Sequence, residues 1–155
     1  LRIESAVVDA NKASIPQANR AGSVPCFSPR PILRAFRLLR LQGHSLVTTH
    51  QNIAEYWNVA TRPASARGGF GLTPDEAERR VATIEKLGKI LPFNQLCYGV
   101  WRQLLVAHDI VGVSVHDARL VATMNCYGIT HLITLNDADF KRYVGLVVWK
   151  PTDIV

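Results

Sequence analysis

The chain lacks most of the residues that make a function easy to recognise. Its 155 residues include only three cysteines, one methionine and five histidines. Cys26, Cys97 and Cys126 are odd in number and widely spaced, with no C-x-x-C pair. That excludes a disulfide framework and a cysteine zinc site, and it suits a reducing, cytoplasmic setting. None of His44, His50, His108, His116 and His131 belongs to an H-E-x-x-H pair, so the zinc-hydrolase pattern is missing too. Gly68-Gly69-Phe70-Gly71 has no Lys-Ser/Thr ending, so no phosphate-binding loop is expected there. No apolar run approaches the roughly 20 residues of a membrane span. Runs such as Leu146-Val147-Val148-Trp149 are strand-sized, and no basic stretch leads into a long apolar one near residue 1. Neither a membrane partner nor a secretory leader is expected.

What the chain does have is positive charge. Eighteen Lys and Arg face twelve Asp and Glu, for a formal net charge of +6. Such an excess favours an anionic partner, most often a nucleic acid, although a basic surface also serves solubility alone. The length suits one domain over residues 1–155, and a chain of this size buries roughly two-thirds of its unfolded surface.

Hydrophobic patterning alternates between strand and helix. A short apolar run over 3–8, strongest at Val7-Val8, predicts a strand. Ile32, Phe36 and Leu39 recur at helical spacing, with Arg34, Arg37 and Arg40 on another face. That arginine row could follow phosphates, but it equally describes a solvated helix face. Residues 45–49 read as a strand and 51–60 as a helix. Thr73-Pro74-Asp75-Glu76 is a helix start with a capping box, followed by the stripe Ala77, Val81, Ile84. Helices are expected over 95–107 and 116–127, the latter ended by Gly128, and strands over 129–135 and 145–149. Residues 12–31 carry Pro16, Pro25, Pro29, Pro31 and Gly22 without a steady apolar period and read as irregular, as do 62–71. Strands separated by helices imply crossovers, hence an α/β fold with a mainly parallel sheet and a site beyond the carboxyl ends of its strands.

Acidic residues sit at those places. Asp9 comes directly after the first strand, Glu55 lies in the helix after the second, Asp117 opens a later helix, and Asp137 and Asp139 come after the strand ending at Leu135. Each has an ordinary alternative: a turn residue, a solvated helix residue, a capping box of Asp117 with Ser114, a loop. Together they suggest more. Clustered carboxylates repel, a divalent cation offsets the repulsion, and oxygen donors suit Mg²⁺ or Mn²⁺. Such an ion can activate water against a phosphodiester without a Ser, Cys or His nucleophile.

Three strings carry a resemblance. Asn52-Ile53-Ala54-Glu55-Tyr56-Trp57-Asn58-Val59-Ala60-Thr61-Arg62-Pro63 resembles the second acidic motif of a bacterial group of PIN domains. His116-Asp117-Ala118-Arg119-Leu120-Val121-Ala122 resembles the third, and Thr134 to Phe140 the closing T-x-N-x-x-D-F. The resemblance covers roughly residue 34 onward and implies a PIN-like, Rossmann-like three-layer α/β/α sandwich. It further implies a Mg²⁺ or Mn²⁺ site and endoribonuclease activity of the VapC toxin kind, with an RNA substrate, an antitoxin partner and a homodimer. By position, Asp9, Glu55, Asp117 and Asp139 match the catalytic, metal-holding acids. Asn136 matches a further ligand or a donor behind it, and Asn11, Asn52 and Arg119 match substrate-side positions.

Two stretches depart from the family pattern, 12–31 and 88–97, in the way altered reading frames leave a sequence. A misplaced first strand would remove Asp9 from the site. The rivals are therefore a degenerate PIN-like domain that binds RNA or protein without cutting, and a plain α/β interaction module without metal.

Overall fold

The structure is a computed structural model that describes residues 5–9, 30–66 and 68–154, of which 5–9 and 30–33 by backbone alone. Asn11, Cys26 and the irregular segment up to residue 29 lie outside the described residues. The chain forms β1 (Ser5–Asp9), α1 (Arg30–Leu41), β2 (Ser45–Thr49), α2 (His50–Thr61), α3 (Pro74–Leu87), β3 (Lys89–Leu91), α4 (Gln95–Ala107), α5 (Ser114–Cys126), β4 (His131–Thr134) and β5 (Val147–Trp149). Short 3-10 turns at Asp137–Phe140 and Pro151–Asp153 complete it. Among the described residues no helix is long and apolar enough to cross a membrane.

The five strands make one sheet in the order β3-β2-β1-β4-β5. β2 pairs parallel with β3, and β4 pairs parallel with β5. The central strand departs from the expected parallel arrangement: β1 runs antiparallel to both β2 and β4. Four strands thus share a direction and β1 alone opposes them. Nothing local forbids this. Ser-Ala-Val-Val-Asp reads much the same along either direction of a strand. The 20 residues from 10 to 29 also leave enough chain to reach α1 from either end of the sheet.

Side-chain alternation divides the core between the two faces of the sheet. Leu46 of β2 and Ile133 of β4 point to one face, where they pack with Ala35 and Leu39 of α1 and with Ile154. Val47 and Leu132, their neighbours in sequence, point to the other. There they meet Ala118, Leu120, Val121 and Met124 of α5, with Trp101, Leu104 and Leu105 of α4 behind. Six residues of α5, Ala118 and Leu120 through Met124, are buried, which makes it the central helix of that face.

The expected capping box is formed. Thr73 Oγ1 accepts from the Glu76 amide at 3.3 Å, and the Thr73 amide donates to Glu76 Oε2 at 2.9 Å. Pro74 occupies the first turn. Thr73→Ala removes one half of this box and is expected to cost about 1 kcal/mol. Urea denaturation checks it, and a midpoint identical to the parent's counts against the cap.

The strand β3 is not among the expected elements. Three residues between Gly88 and Pro92 are too few to show alternation, and only the neighbouring strand β2 defines them. Gly88 permits that approach: a Cβ there would stand 2.5 Å from the Leu46 carbonyl oxygen. Residues 111–115, legible in the sequence only as an apolar stretch, form a turn and the start of α5, with Val111 and Val113 exposed.

Candidate functional site

Parallel strands β2 and β4 end at the same rim of the sheet, at Thr49 and Thr134. Local hydrogen bonds decide how the chain leaves each strand. Thr49 caps α2, its hydroxyl oxygen accepting from the Asn52 amide at 3.2 Å, so the helix starts immediately after the strand. One turn on, α2 carries Glu55. After β4, the Asn136 amide donates to Thr134 Oγ1 at 3.1 Å and turns the chain into the 3-10 segment that carries Asp139. The third acid, Asp117, lies in the first turn of α5.

The capping alternative for Asp117 is not realised. Val113 is the N-cap of α5 and no side chain caps it, so Ser114 lies inside the helix and forms no box with Asp117. Instead the Asp117 carboxyl is half-buried beside other acids. Burial pushes its pKa up to about 6, and the negative charges of Asp139 and Glu55 push the same way. His116 and Arg142 pull it back, by less. The Tyr143 hydroxyl is likewise raised, first by burial, with Asp117 and Asp139 adding to it against Arg142. Glu55 and Asp139, drawn from two other segments, therefore act electrostatically on Asp117.

Asp9 does not join them. Its backbone pairs with Ser45, at the start of β2, while the site lies beyond Thr49 at the end of that strand. The reversed direction of β1 places the Asp9 backbone at the opposite rim, a position that departs from the expected grouping of four acids. Asn52, expected on the substrate side, is buried and its side-chain oxygen accepts from the Thr49 hydroxyl. Arg119 has its guanidinium over the Phe93 ring, 4.4 Å from the centroid. Asn136 donates through Nδ2 to Asp139 Oδ2, a short contact that orients the acid. Asp137 is paired with Lys150 at 3.2 Å, which lowers its pKa, and takes no part in the acidic group.

Gln51 is the residue that sequence reasoning passes over. Its Nε2 donates to Glu55 Oε1 at 2.9 Å and to the His116 carbonyl at 2.9 Å, tying α2 to the first turn of α5. Its spacing from Glu55, four residues along a helix, is a usable signal. Arg142 is passed over as well: it is exposed, two residues past Phe140, and its charge reaches Asp117.

Among the described residues, no three Asp, Glu, His or Cys side chains stand close enough to enclose one ion. The donors at the rim are nevertheless all oxygen, and their negative charge exceeds what His116 and Arg142 offset at Asp117. Mg²⁺ is bound elsewhere through one or two carboxylates plus retained waters, so a hard, partly hydrated cation suits this donor set and a dehydrated one does not.

The fold matches that of a solved structure of DNA-bound VapBC from Salmonella typhimurium, with a TM-score of 0.57. The match is 16% identical in sequence and covers 79% of this chain and 86% of the other, so it concerns architecture alone. No family model matches the chain, and neither does any curated protein.

Proposed function

We propose that the protein is a metal-dependent endoribonuclease hydrolysing RNA phosphodiester bonds, acting as the toxin of a toxin-antitoxin pair. The observation that carries this reading is the half-buried Asp117 carboxyl, whose pKa is pushed up to about 6 first by burial and then by the negative charges of Asp139 and Glu55. Unrelieved repulsion costs stability, and a site that keeps it has a use for a cation. The PIN-like architecture and the net charge of +6 support the same reading.

Glu55, Asp117 and Asp139 would hold Mg²⁺ or Mn²⁺, with Asn136 fixing the Asp139 carboxylate. Such a cation, when bound, supplies activated water and stabilises charge on the leaving oxygen. The chain's own contribution is to bring Glu55 and Asp139 within electrostatic reach of Asp117 and to place Arg142 and His116 near it, where a phosphodiester would meet the Arg142 charge. The solved relative in fold is described as a VapBC complex on DNA, which suggests that this protein too has an antitoxin partner.

One observation favours a second reading. With Asp9 at the far rim and no enclosing group of three among the described residues, a degenerate domain that binds RNA or a protein without cutting it also fits.

The test is cleavage of an end-labelled structured RNA with Mn²⁺ at millimolar level. Cleavage is expected, complete loss is expected with excess EDTA, and recovery is expected when Mn²⁺ is restored above the chelator. RNA retention on a gel without any cleavage, at every Mn²⁺ level, would establish the binding module instead.

A further inference from the structure

We propose that Gln51 is the positioning residue of the acidic site: its side-chain amide orients the Glu55 carboxylate and fixes α2 against the first turn of α5. The inference rests on the nuclease reading for its consequence, though not for the bridge itself.

The geometry assigns both ends of the amide. A primary amide carries two N–H donors and one acceptor oxygen. Both acceptors here, Glu55 Oε1 and the His116 carbonyl, lie at 2.9 Å from the same Gln51 nitrogen. Neither can donate, since one is a carboxylate oxygen and the other a backbone carbonyl. The reverse orientation of the amide would set oxygen against oxygen at both places, so the orientation is fixed by chemistry.

The bridge acts on both acids. Gln51 holds Glu55 through one oxygen, Oε1. The His116 peptide, immediately before Asp117, is held to α2, so the spacing between Glu55 and Asp117 depends on one side chain. Thr49 secures the same turn of α2 from the strand side, which makes the bridge a rigid one. The amide oxygen is left over. Gln51 Oε1 is buried and accepts no hydrogen bond among the described residues. A buried acceptor without a donor is uncommon in folded proteins, and here it accompanies the turning of both N–H groups to Glu55 and His116.

Gln51→Met tests this, because it keeps the length and apolar volume of the side chain and removes both donors and the acceptor. In the protein without added metal, a double-mutant cycle of Gln51→Met and Glu55→Met measured by urea denaturation is expected to show a coupling of about threefold or more in the unfolding constant. Mn²⁺ affinity, read from the free-ion signal in electron paramagnetic resonance, is expected to weaken about tenfold in Gln51→Met, as for residues that orient metal ligands. A variant with additive stabilities and an Mn²⁺ affinity equal to the parent's overturns the proposal. Coupling in the cycle together with a parent that neither binds Mn²⁺ nor cuts RNA supports the bridge and removes the nuclease reading.

Discussion

Asp117→Asn is expected to slow RNA cleavage severely while making the metal-free protein more stable above pH 6. The loss comes from removing a charged oxygen donor at the centre of the acidic group. Charge stabilisation at such a site is worth several kcal/mol, so cleavage is expected to fall by about a hundred- to a thousandfold. The gain comes from the raised pKa of the same carboxyl. Asp117 in the folded chain titrates at about 6, against an ordinary value of 3.8. The folded state therefore holds this proton more tightly than the unfolded chain does. Its contribution to stability is fully present below the ordinary value and is lost as pH rises through about 6. The group is only half-buried, so solvent screening reduces the effect to about 1 kcal/mol.

Asparagine has the same shape and no charge. At pH 7.5 its variant is expected to melt a few degrees higher than the parent, a gain of the order expected from about 1 kcal/mol in a chain of this size. Near pH 4 the two are expected to coincide. Saturating Mn²⁺ is expected to reverse the order, because only the parent gains the stabilisation of ligand binding. Thermal melts across pH, with and without Mn²⁺, provide all three readings. Equal cleavage by parent and variant would identify a contaminating nuclease and remove Asp117 from the site.

Leu132→Ala is expected to give the largest loss of stability, with little change in the chemistry. Leu132 is fully buried in β4, on the face that packs against α5. Its neighbours Val121 and Met124 belong to a helix, and Val47 to a strand, so the surroundings collapse only in part. A buried Leu→Ala change of this kind costs about 2–5 kcal/mol, a large part of the stability of a domain. The melting temperature is expected to drop by about 10 °C. Glu55 and Asp117 are on α2 and α5, and Leu132 lies two residues before the end of β4, so cleavage per folded molecule at low temperature is expected to stay within about tenfold of the parent. A drop smaller than about 3 °C would mean that β4 is not packed as described. A melting loss matched by complete inactivity at low temperature would mean that β4 sets the site as well as the core.

Several elements are legible because the signal is local. The capping box at Thr73 and Glu76 spans four adjacent residues, and the strand over 45–49 and the helix over 95–107 match β2 and α4 residue for residue. Glu55, Asp117 and Asp139 can be named from sequence because each borders a recognisable element, and the structure brings those three to one rim. Asn136, matched to the same site, is bonded to Asp139.

Sequence reasoning fails where the deciding partner is distant along the chain. Arg119 meets Phe93 and Asp137 meets Lys150, and no spacing announces either contact. Asn52 matches a substrate-side position, yet its neighbour Thr49 has a first claim on it through the helix cap.

By itself, then, the amino-acid order determined the helices, most of the strands and the acids that border them, since periodicity, caps and turn residues act over a few positions. Only the tertiary structure decided the direction of β1, because a five-residue apolar strand bonds to its neighbours either way round and its direction depends on the whole sheet. That single choice set the Asp9 backbone at the far rim, away from Glu55, Asp117 and Asp139, two of whose elements are tied together by Gln51.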